Sequence, residues 1–220
     1  MVEITIAVDG PGSSGKGTVA RGVAEALGYQ FVDTGAMYRA VGLLSLRSGL
    51  DVRDEGATSL LAQRLQFRFA FDGGRLRVEV DGEDVTSAIR GEDVGAAASA
   101  VAVHPAVRGA LLGLQRYLGA AGGVVMDGRD IGTVVLPDAE LKIFLDASLD
   151  ERARRRWLEH PERDFVAVRD ELAARDLQDT TRAVAPLRCA ADAVRLDSTG
   201  VPVSDVVDRI VQLARSRRGG

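Results

Sequence analysis

The sequence predicts an α/β fold: a parallel sheet with flanking helices, into which a small antiparallel β insertion and a helical lid are set. Three observations carry that expectation. Short apolar, β-rich runs alternate with helical stretches along most of the 220 residues. One region switches to period-2 patterning with tight turns, and one late helical stretch is rich in arginine but poor in apolar residues. Parallel strands need long crossovers, which helices normally supply, so alternation of the first kind implies a parallel sheet covered on both faces.

The first apolar run, Ile4 to Val8, is strand-like and stops at a glycine-rich turn, after which Thr18 to Leu27 reads as a helix. A second short strand, Tyr29 to Val32, leads into Asp33-Thr34-Gly35 and a helix from Ala36 to about Arg47. Three later runs end on an aspartate in the same way: Gly123 to Met126 at Asp127, Leu141 to Leu145 at Asp146, and Val194 to Leu196 at Asp197. Pro105 to Leu118 and Ser204 to Arg215 read as helices between and after them. Leu65 to Phe71, the turn Asp72-Gly73-Gly74, and Leu76 to Val80 followed by Asp81-Gly82 carry a hairpin signature. Residues 149 to 182 read as two weakly apolar helices interrupted at His160-Pro161, a pattern suited to a mobile lid. The expectation is therefore one domain over residues 1–220, with a core of about 1–61, 96–148 and 183–216, a β insertion of about 62–95 and a lid of about 149–182. The basic, glycine-ended tail Arg217-Arg218-Gly219-Gly220 is expected to fray.

Composition excludes several classes. With 46% hydrophobic and 27% charged residues the chain is not intrinsically disordered. A net charge of -4 argues against a surface made to wrap nucleic acid, which needs a positive excess to displace counterions. Cys189 has no cysteine to pair with, and His104 and His160 are too few for a histidine-rich metal site. Residues Val2 to Val8 form neither a basic leader nor a long apolar run, so a cytoplasmic setting without signal peptide or membrane span is expected. Neither a long heptad nor a large apolar stripe is evident, and a monomer is the expected state.

The chemistry-bearing pattern is Gly10-Pro11-Gly12-Ser13-Ser14-Gly15-Lys16-Gly17-Thr18, with the spacing of a phosphate-binding loop between a strand and a helix. Glycines let successive backbone N–H groups curl inward, the following helix offers its positive end, and Lys16 has the reach for β and γ phosphates. The plainer reading, a ligand-free glycine-rich turn, leaves the coincidence of strand, loop, lysine and helix unexplained. Gly17 stands where a Ser or Thr commonly offers a hydroxyl to Mg²⁺, and Thr18 follows one later, so the metal is expected near Thr18 and Asp127 and partly through water. The loop alone leaves kinase, GTPase and motor open. Two charged clusters lie just beyond strand ends, where open α/β sheets bind ligands: Asp33 to Arg39, and Asp127-Gly128-Arg129-Asp130. Arginine grips phosphate oxygens in pairs, and a carboxylate such as Asp130 suits donors of a base or sugar. Taken singly, each cluster also reads as a capping aspartate or a surface ion pair. The arginines of 152–156, with Arg163, Arg169, Arg175, Arg182 and Arg188, read as an anion site or as a solvated helix face.

With these segments in view the sequence resembles the bacterial cytidylate kinases, nucleoside monophosphate kinases of the P-loop class. The resemblance rests on Asp9-Gly10-Pro11 with Gly15 to Thr18, Asp33 to Arg39, Asp127 to Val135, Lys142 to Ser148, and Arg182 to Leu187. It implies a P-loop NTPase-type sheet, an acceptor-binding β insertion of three strands, and a lid closing over ATP. It further implies transfer from ATP, with Mg²⁺, to CMP or dCMP, with no nucleic-acid or membrane partner. Among the residues, Lys16, Arg129 and Arg182 are implied to be catalytic, and Arg39, Arg129 and Arg182 to hold the acceptor phosphate. Ser99, Arg108 and Asp130 are implied to read the cytosine edge, Arg175 and Asp179 to lie near the sugar, and Thr34 to keep the role of a family serine. Ser99 also reads as part of a small-residue helix surface, Ala96 to Ala100. Asp127 reads either as orienting a magnesium-bound water or as capping its turn, and the contacts of Arg152, Arg154, Arg155 and Arg156 with ATP stay unassigned. His104, His160, Trp157 and Cys189 read as packing or exposed residues. Against a nucleotide-dependent switch stands the lack of an Asn-Lys-x-Asp element.

Overall fold

The computed structural model describes residues 3–72 and 75–217, so Gly73 and Gly74 of the expected hairpin turn, Met1 and Val2, and the Arg218–Gly220 tail lie outside the described residues. The chain divides into two compact units, one of residues 1–31 and 119–220, the other of residues 32–118.

The first unit is built on strands β1 (Thr5–Asp9), β6 (Val124–Gly128), β7 (Leu141–Asp146) and β8 (Val194–Asp197), with β2 (Gln30–Asp33), where the chain leaves for the second unit, at the edge. The order is β2-β6-β1-β7-β8. β1 pairs in parallel with both β6 and β7, and every residue of it is buried, which is why it reads as an unbroken apolar run rather than an alternating one. One face is covered by α1 (Lys16–Leu27) and α8 (Val203–Arg217). Val19, Ala20, Val23 and Ala24 of α1 and Val206, Ile210, Val211 and Ala214 of α8 pack on Ile6, Val8, Val125, Ile143 and Leu145. Helical spacing makes that stripe, and burial of such side chains contributes about 1.5–3 kcal/mol each. The first helix stops at Gly28, whose left-handed φ of 70° is comfortable only without a Cβ.

Register positions the site. Asp9 lies opposite Gly128 on β6 and Phe144 on β7, so the loops that follow β1 and β6 leave the sheet side by side at its carboxyl end. Two further helices, α6 (Leu149–Glu159) and α7 (Phe165–Thr181), fill the expected lid segment. Ser148 caps α6 and Asp164 caps α7, each accepting from the backbone N–H three residues on. Their break spans His160-Pro161, as the sequence indicates.

The second unit holds α2 (Thr34–Arg47), α3 (Glu55–Arg64), the antiparallel sheet β3 (Phe67–Asp72), β4 (Arg75–Val80) and β5 (Glu83–Asp84), then α4 (Glu92–Val101) and α5 (Pro105–Gly119). Its core joins Ala36, Ala40 and Leu43 of α2 to Val78 and Val80 of β4 and to Val85, Ile89 and Val94. Within residues 62–95 the strands occupy only 67–84; the ends of that stretch belong to α3 and α4. Both helices are short and rich in small and polar residues, with little apolar periodicity to announce them. α3 starts where Asp54 accepts from the Ala57 N–H at 3.0 Å. α4 lies close against α2: a Cβ at Gly42 would sit 2.8 Å from the backbone nitrogen of Ala98, which is why both helices carry small residues at this crossing.

Candidate active site

The loop after β1 is shaped by close approach. A Cβ on Gly10 would lie 2.0 Å from the Leu145 carbonyl oxygen, so only glycine lets the chain turn out of the sheet there. Ser13 and Gly15 both take positive φ, 59° and 85°, and the helix begins at Lys16 with no side-chain cap on its first amides. Uncapped N–H groups at a helix start, with the positive end of the helix dipole behind them, form an anion site. Lys16 is buried and its ammonium donates to the Pro11 carbonyl at 3.2 Å, so its stem arches over the loop it serves. The hydroxyl of Ser14 is buried in the loop without a hydrogen-bond partner.

Around this loop stand arginines from three places. Arg152 donates to the Gly12 carbonyl at 3.2 Å and pairs with Asp176 of α7 at 2.7 Å. Arg155 donates to the Ser14 carbonyl at 3.0 Å and to Ser198, whose hydroxyl also donates to the Ser14 carbonyl at 3.1 Å. Arg154 and Arg156 instead pair with Glu151 and Glu159 on the helix surface. Two guanidinium groups of the arginine-rich stretch thus hold the loop's backbone carbonyls, which neither reading of the sequence foresaw, and two pair along the helix surface, as a solvated helix face would.

The second cluster is acidic and basic at once. Arg129, just past β6, donates to Asp179 of α7 at 2.8 Å, and Arg182 lies 3.5 Å from Asp130 and 3.6 Å from Asp179. Arg182 also donates to the Ala185 carbonyl. Burial raises the Asp179 carboxyl, but the charges of Arg129, Arg175 and Arg182 more than reverse it and hold the group below its ordinary range. A Cβ on Gly12 would come 3.8 Å from the Arg129 guanidinium and 4.0 Å from the Arg175 stem, so this cluster stands directly beside the phosphate loop. The structure therefore brings together Gly10 to Thr18, Arg129, Asp130, Arg175, Asp179 and Arg182, all in the first unit.

The other expected residues lie in the second unit. Asp33 caps α2 through the Ala36 N–H at 3.1 Å and forms an ion pair with Arg39, beside buried Thr34. Arg108 of α5 is buried, donates to the Ala102 carbonyl at 3.2 Å and stacks over the ring of Tyr38 at 5.3 Å. Ser99 of α4 donates to the Gly95 carbonyl at 3.2 Å within its own helix.

Two features bear on a metal. Among the described residues no three His, Cys, Asp or Glu side chains cluster as a ready-made metal site. Asp127, however, is buried near the carboxyl end of β6, with a carboxylate oxygen 3.4 Å from where a Cβ of Gly17 would be; Thr18 is exposed.

A full-length comparison decides the family. The cytidylate kinase profile matches residues 6–216. The cytidylate kinase of Geobacillus kaustophilus (strain HTA426) is 49% identical over 220 residues, covering 98% of each chain. That of Pelotomaculum thermopropionicum is 52% identical over 211 residues, covering 94% of this chain and 93% of its own. The chain belongs to the cytidylate kinase family. A solved structure of an uncharacterized protein from Eubacterium ventriosum ATCC 27560 superposes with a TM-score of 0.55 at 12% identity, over 97% of this chain and 99% of that one, a likeness of fold alone. This kinase shares the α/β architecture that the sequence predicted.

One residue of this kinase escaped the sequence reading of the site. Asp9, at the end of β1, is buried and accepts from the N–H groups of Ile131 and Gly132, each at 2.8 Å. Burial pushes its carboxyl up to about 6, against the pull of those two amides; the negative charge of Asp130 adds to the rise and the charge of Lys16 opposes it. The sequence carries it as a carboxylate closing a mostly apolar run and as the first residue of the Asp9-Gly10-Pro11 segment, with no role assigned to it. A stability prediction follows from the sign. Between pH 4 and 6 the native protein keeps a proton that the unfolded chain, with its ordinary carboxyl at 3.8, has released. Native stability relative to an Asp9→Asn variant therefore falls as pH rises and levels off near pH 7, and about 2 kcal/mol of a total of about 3 kcal/mol is lost between pH 4.5 and 7.5. Urea unfolding of both proteins from pH 4.5 to 7.5 measures it; parallel curves would contradict the burial of a titrating carboxyl.

Proposed function

We propose that this kinase transfers the γ-phosphoryl group of ATP directly and in line to CMP and dCMP, giving CDP and dCDP, in the presence of Mg²⁺. The observation that carries the reading is the position of Arg129 and Arg175 beside Gly12, which sets a cluster of arginines against a loop made for phosphates. Two anion sites side by side suit a reaction in which one phosphate attacks another. The cytidylate kinase relatives supply the base.

Phosphoryl transfer asks the protein for alignment and for charge to offset the transferring oxygens. The uncapped amides of the 10–16 loop hold the β and γ phosphates, and Lys16 places its charge on the oxygens between them. Arg129 and Arg182 hold the acceptor phosphate, kept in place meanwhile by Asp179. The acceptor oxygen is already anionic at neutral pH, so no general base is required. Asp130 accepts from the exocyclic amino group of cytosine, which uracil lacks, and Arg175 and Asp179 face the sugar. Thr34, Arg39, Ser99 and Arg108 are proposed as acceptor-binding residues on the family resemblance. Residues 149–182 form the lid, closing with ATP bound to exclude water. Magnesium, carried in on ATP, would meet the Asp127 carboxylate where other phosphate loops offer a hydroxyl, and when bound supplies positive charge to the phosphate oxygens. We place the enzyme in the cytoplasm as a monomer.

The test is a coupled ADP-release assay with ATP and Mg²⁺, offering CMP, dCMP, UMP, AMP and GMP in parallel. Fast turnover with CMP and dCMP and slow turnover with the others is expected. A better acceptor among UMP, AMP or GMP would discard the assignment of Asp130 to cytosine.

A further inference from the structure

Asp9 is a cap that acts across 122 residues. One of its carboxylate oxygens accepts from the Ile131 N–H and the other from the Gly132 N–H. Those are the first amides of the π-helical turn Ile131–Val135, and the first amides of a helical turn have no acceptor inside it. The residue placed to cap that turn locally is Asp130, and aspartate is among the strongest caps known. Yet Asp130, at φ -144° and ψ 24°, makes no capping bond with its own side chain. Its carboxylate faces Arg182 at 3.5 Å. The turn is closed from its other side as well. A Cβ on Gly132 would lie 3.4 Å from the Asp9 carboxylate and 3.2 Å from the stem of Lys142, whose ammonium is fixed by Asp192 at 2.8 and 3.0 Å. The charged groups around the Asp9 carboxylate are Asp130, Lys16 and, across Gly132, Lys142.

We infer that Asp9 is a positioning residue for acceptor choice: by capping the 131–135 turn in place of Asp130, it keeps the Asp130 carboxylate directed toward Arg182 and the acceptor base. The inference rests on the acceptor reading proposed above and adds a residue from the donor loop's own strand to it. Without the remote cap, Asp130, at the cap position of the turn, precedes two unsatisfied amides, and capping them draws it away from the nucleotide.

Asp9→Asn tests this with little change of volume. The amide accepts from only one of the two N–H groups and sets its own NH₂ against the other. In the folded variant, kcat/KM with CMP is expected to fall at least tenfold, mainly through KM for CMP, while KM for ATP stays within about threefold, since small misplacements of a contact group are costly only for the substrate it meets. The CMP-to-UMP ratio of kcat/KM is expected to fall too. Adding Asp9→Asn to Asp130→Ala should change that ratio no further, because both act through one carboxylate. Unchanged CMP kinetics in the folded variant would overturn the inference, and so would an equal rise in KM for ATP and CMP, which marks a merely structural role. A wild-type enzyme that does not prefer CMP would refute the acceptor reading before any variant is compared, and the inference with it. Should Asp9→Asn fail to fold, amide exchange in the ¹⁵N-labelled wild-type protein gives the answer. Ile131 and Gly132 are expected to exchange slowly and to shift together as Asp9 gains its proton; rapid, unshifted amides would overturn the cap.

Discussion

Replacing Lys16 by methionine is expected to lower kcat by about a thousandfold while leaving the fold in place, the scale found when a charge that serves only the transferring phosphoryl group is removed. The argument is one of position. The residue is buried, its stem crosses the loop, and its ammonium has a carbonyl, that of Pro11, as neighbour in the loop. Methionine fills the same path with a flexible apolar chain, so packing against the loop survives and the charge alone is lost. The loop's amides still gather phosphates, and KM for ATP should rise far less than kcat falls. Steady-state kinetics with thermal denaturation as the folding control measure both. A variant that kept a tenth of wild-type kcat would show that the loop's backbone, without its lysine, does most of the work.

Asp130→Ala carries the second large effect, and here the change is in choice rather than in speed. Asp130 is buried beside Arg182 in the loop that follows β6. A site built to accept a hydrogen bond from one base rejects the base without that donor, because its own buried group is then left unpaired. Removing the carboxylate should cut kcat/KM with CMP about a hundredfold and that with UMP several-fold at most, so the preference between them collapses. Arg182 keeps Asp179 at 3.6 Å and its bonds to the Ala185 carbonyl, so the phosphate side of the site should stay assembled. An equal loss with both acceptors would mean that Asp130 serves Arg182 and not the base.

Much of this architecture is written locally. The strands of the parallel sheet are legible because each is an apolar run ending at an aspartate or glycine, and the phosphate loop because its glycines sit where backbone geometry leaves no alternative, as the 2.0 Å approach at Gly10 makes plain. What escaped the sequence is what depends on distant partners. Ile131-Gly132-Thr133-Val134-Val135 has the composition of a strand, yet it forms a π-helical turn whose first amides donate to Asp9, far away in the chain. The helix at 55–64 carries too little apolar periodicity to be seen, and that at 92–101 shows only as the small-residue surface Ala96 to Ala100, which packs at the close crossing with Gly42. Charge counting finds the arginines of 152–156, but only packing shows that Arg152 and Arg155 hold the loop's carbonyls while Arg154 and Arg156 pair along their own helix. Of the acceptor residues, Arg39, Arg129 and Asp130 stand out by strand-end position, Thr34 lying in the first of those clusters. Arg175, Asp179 and Arg182 take their roles from the family resemblance, and nothing in their spacing discloses that Arg175 and Arg182 meet Arg129 around the Asp179 carboxylate.

The most direct test of the account follows the phosphorus itself. Enzyme is mixed with γ-labelled ATP, Mg²⁺ and CMP, and the label is traced through a single turnover. The account predicts that it appears in the β position of CDP, with little released as inorganic phosphate and almost none when CMP is left out. Label released chiefly as inorganic phosphate, at a rate indifferent to CMP, would contradict it.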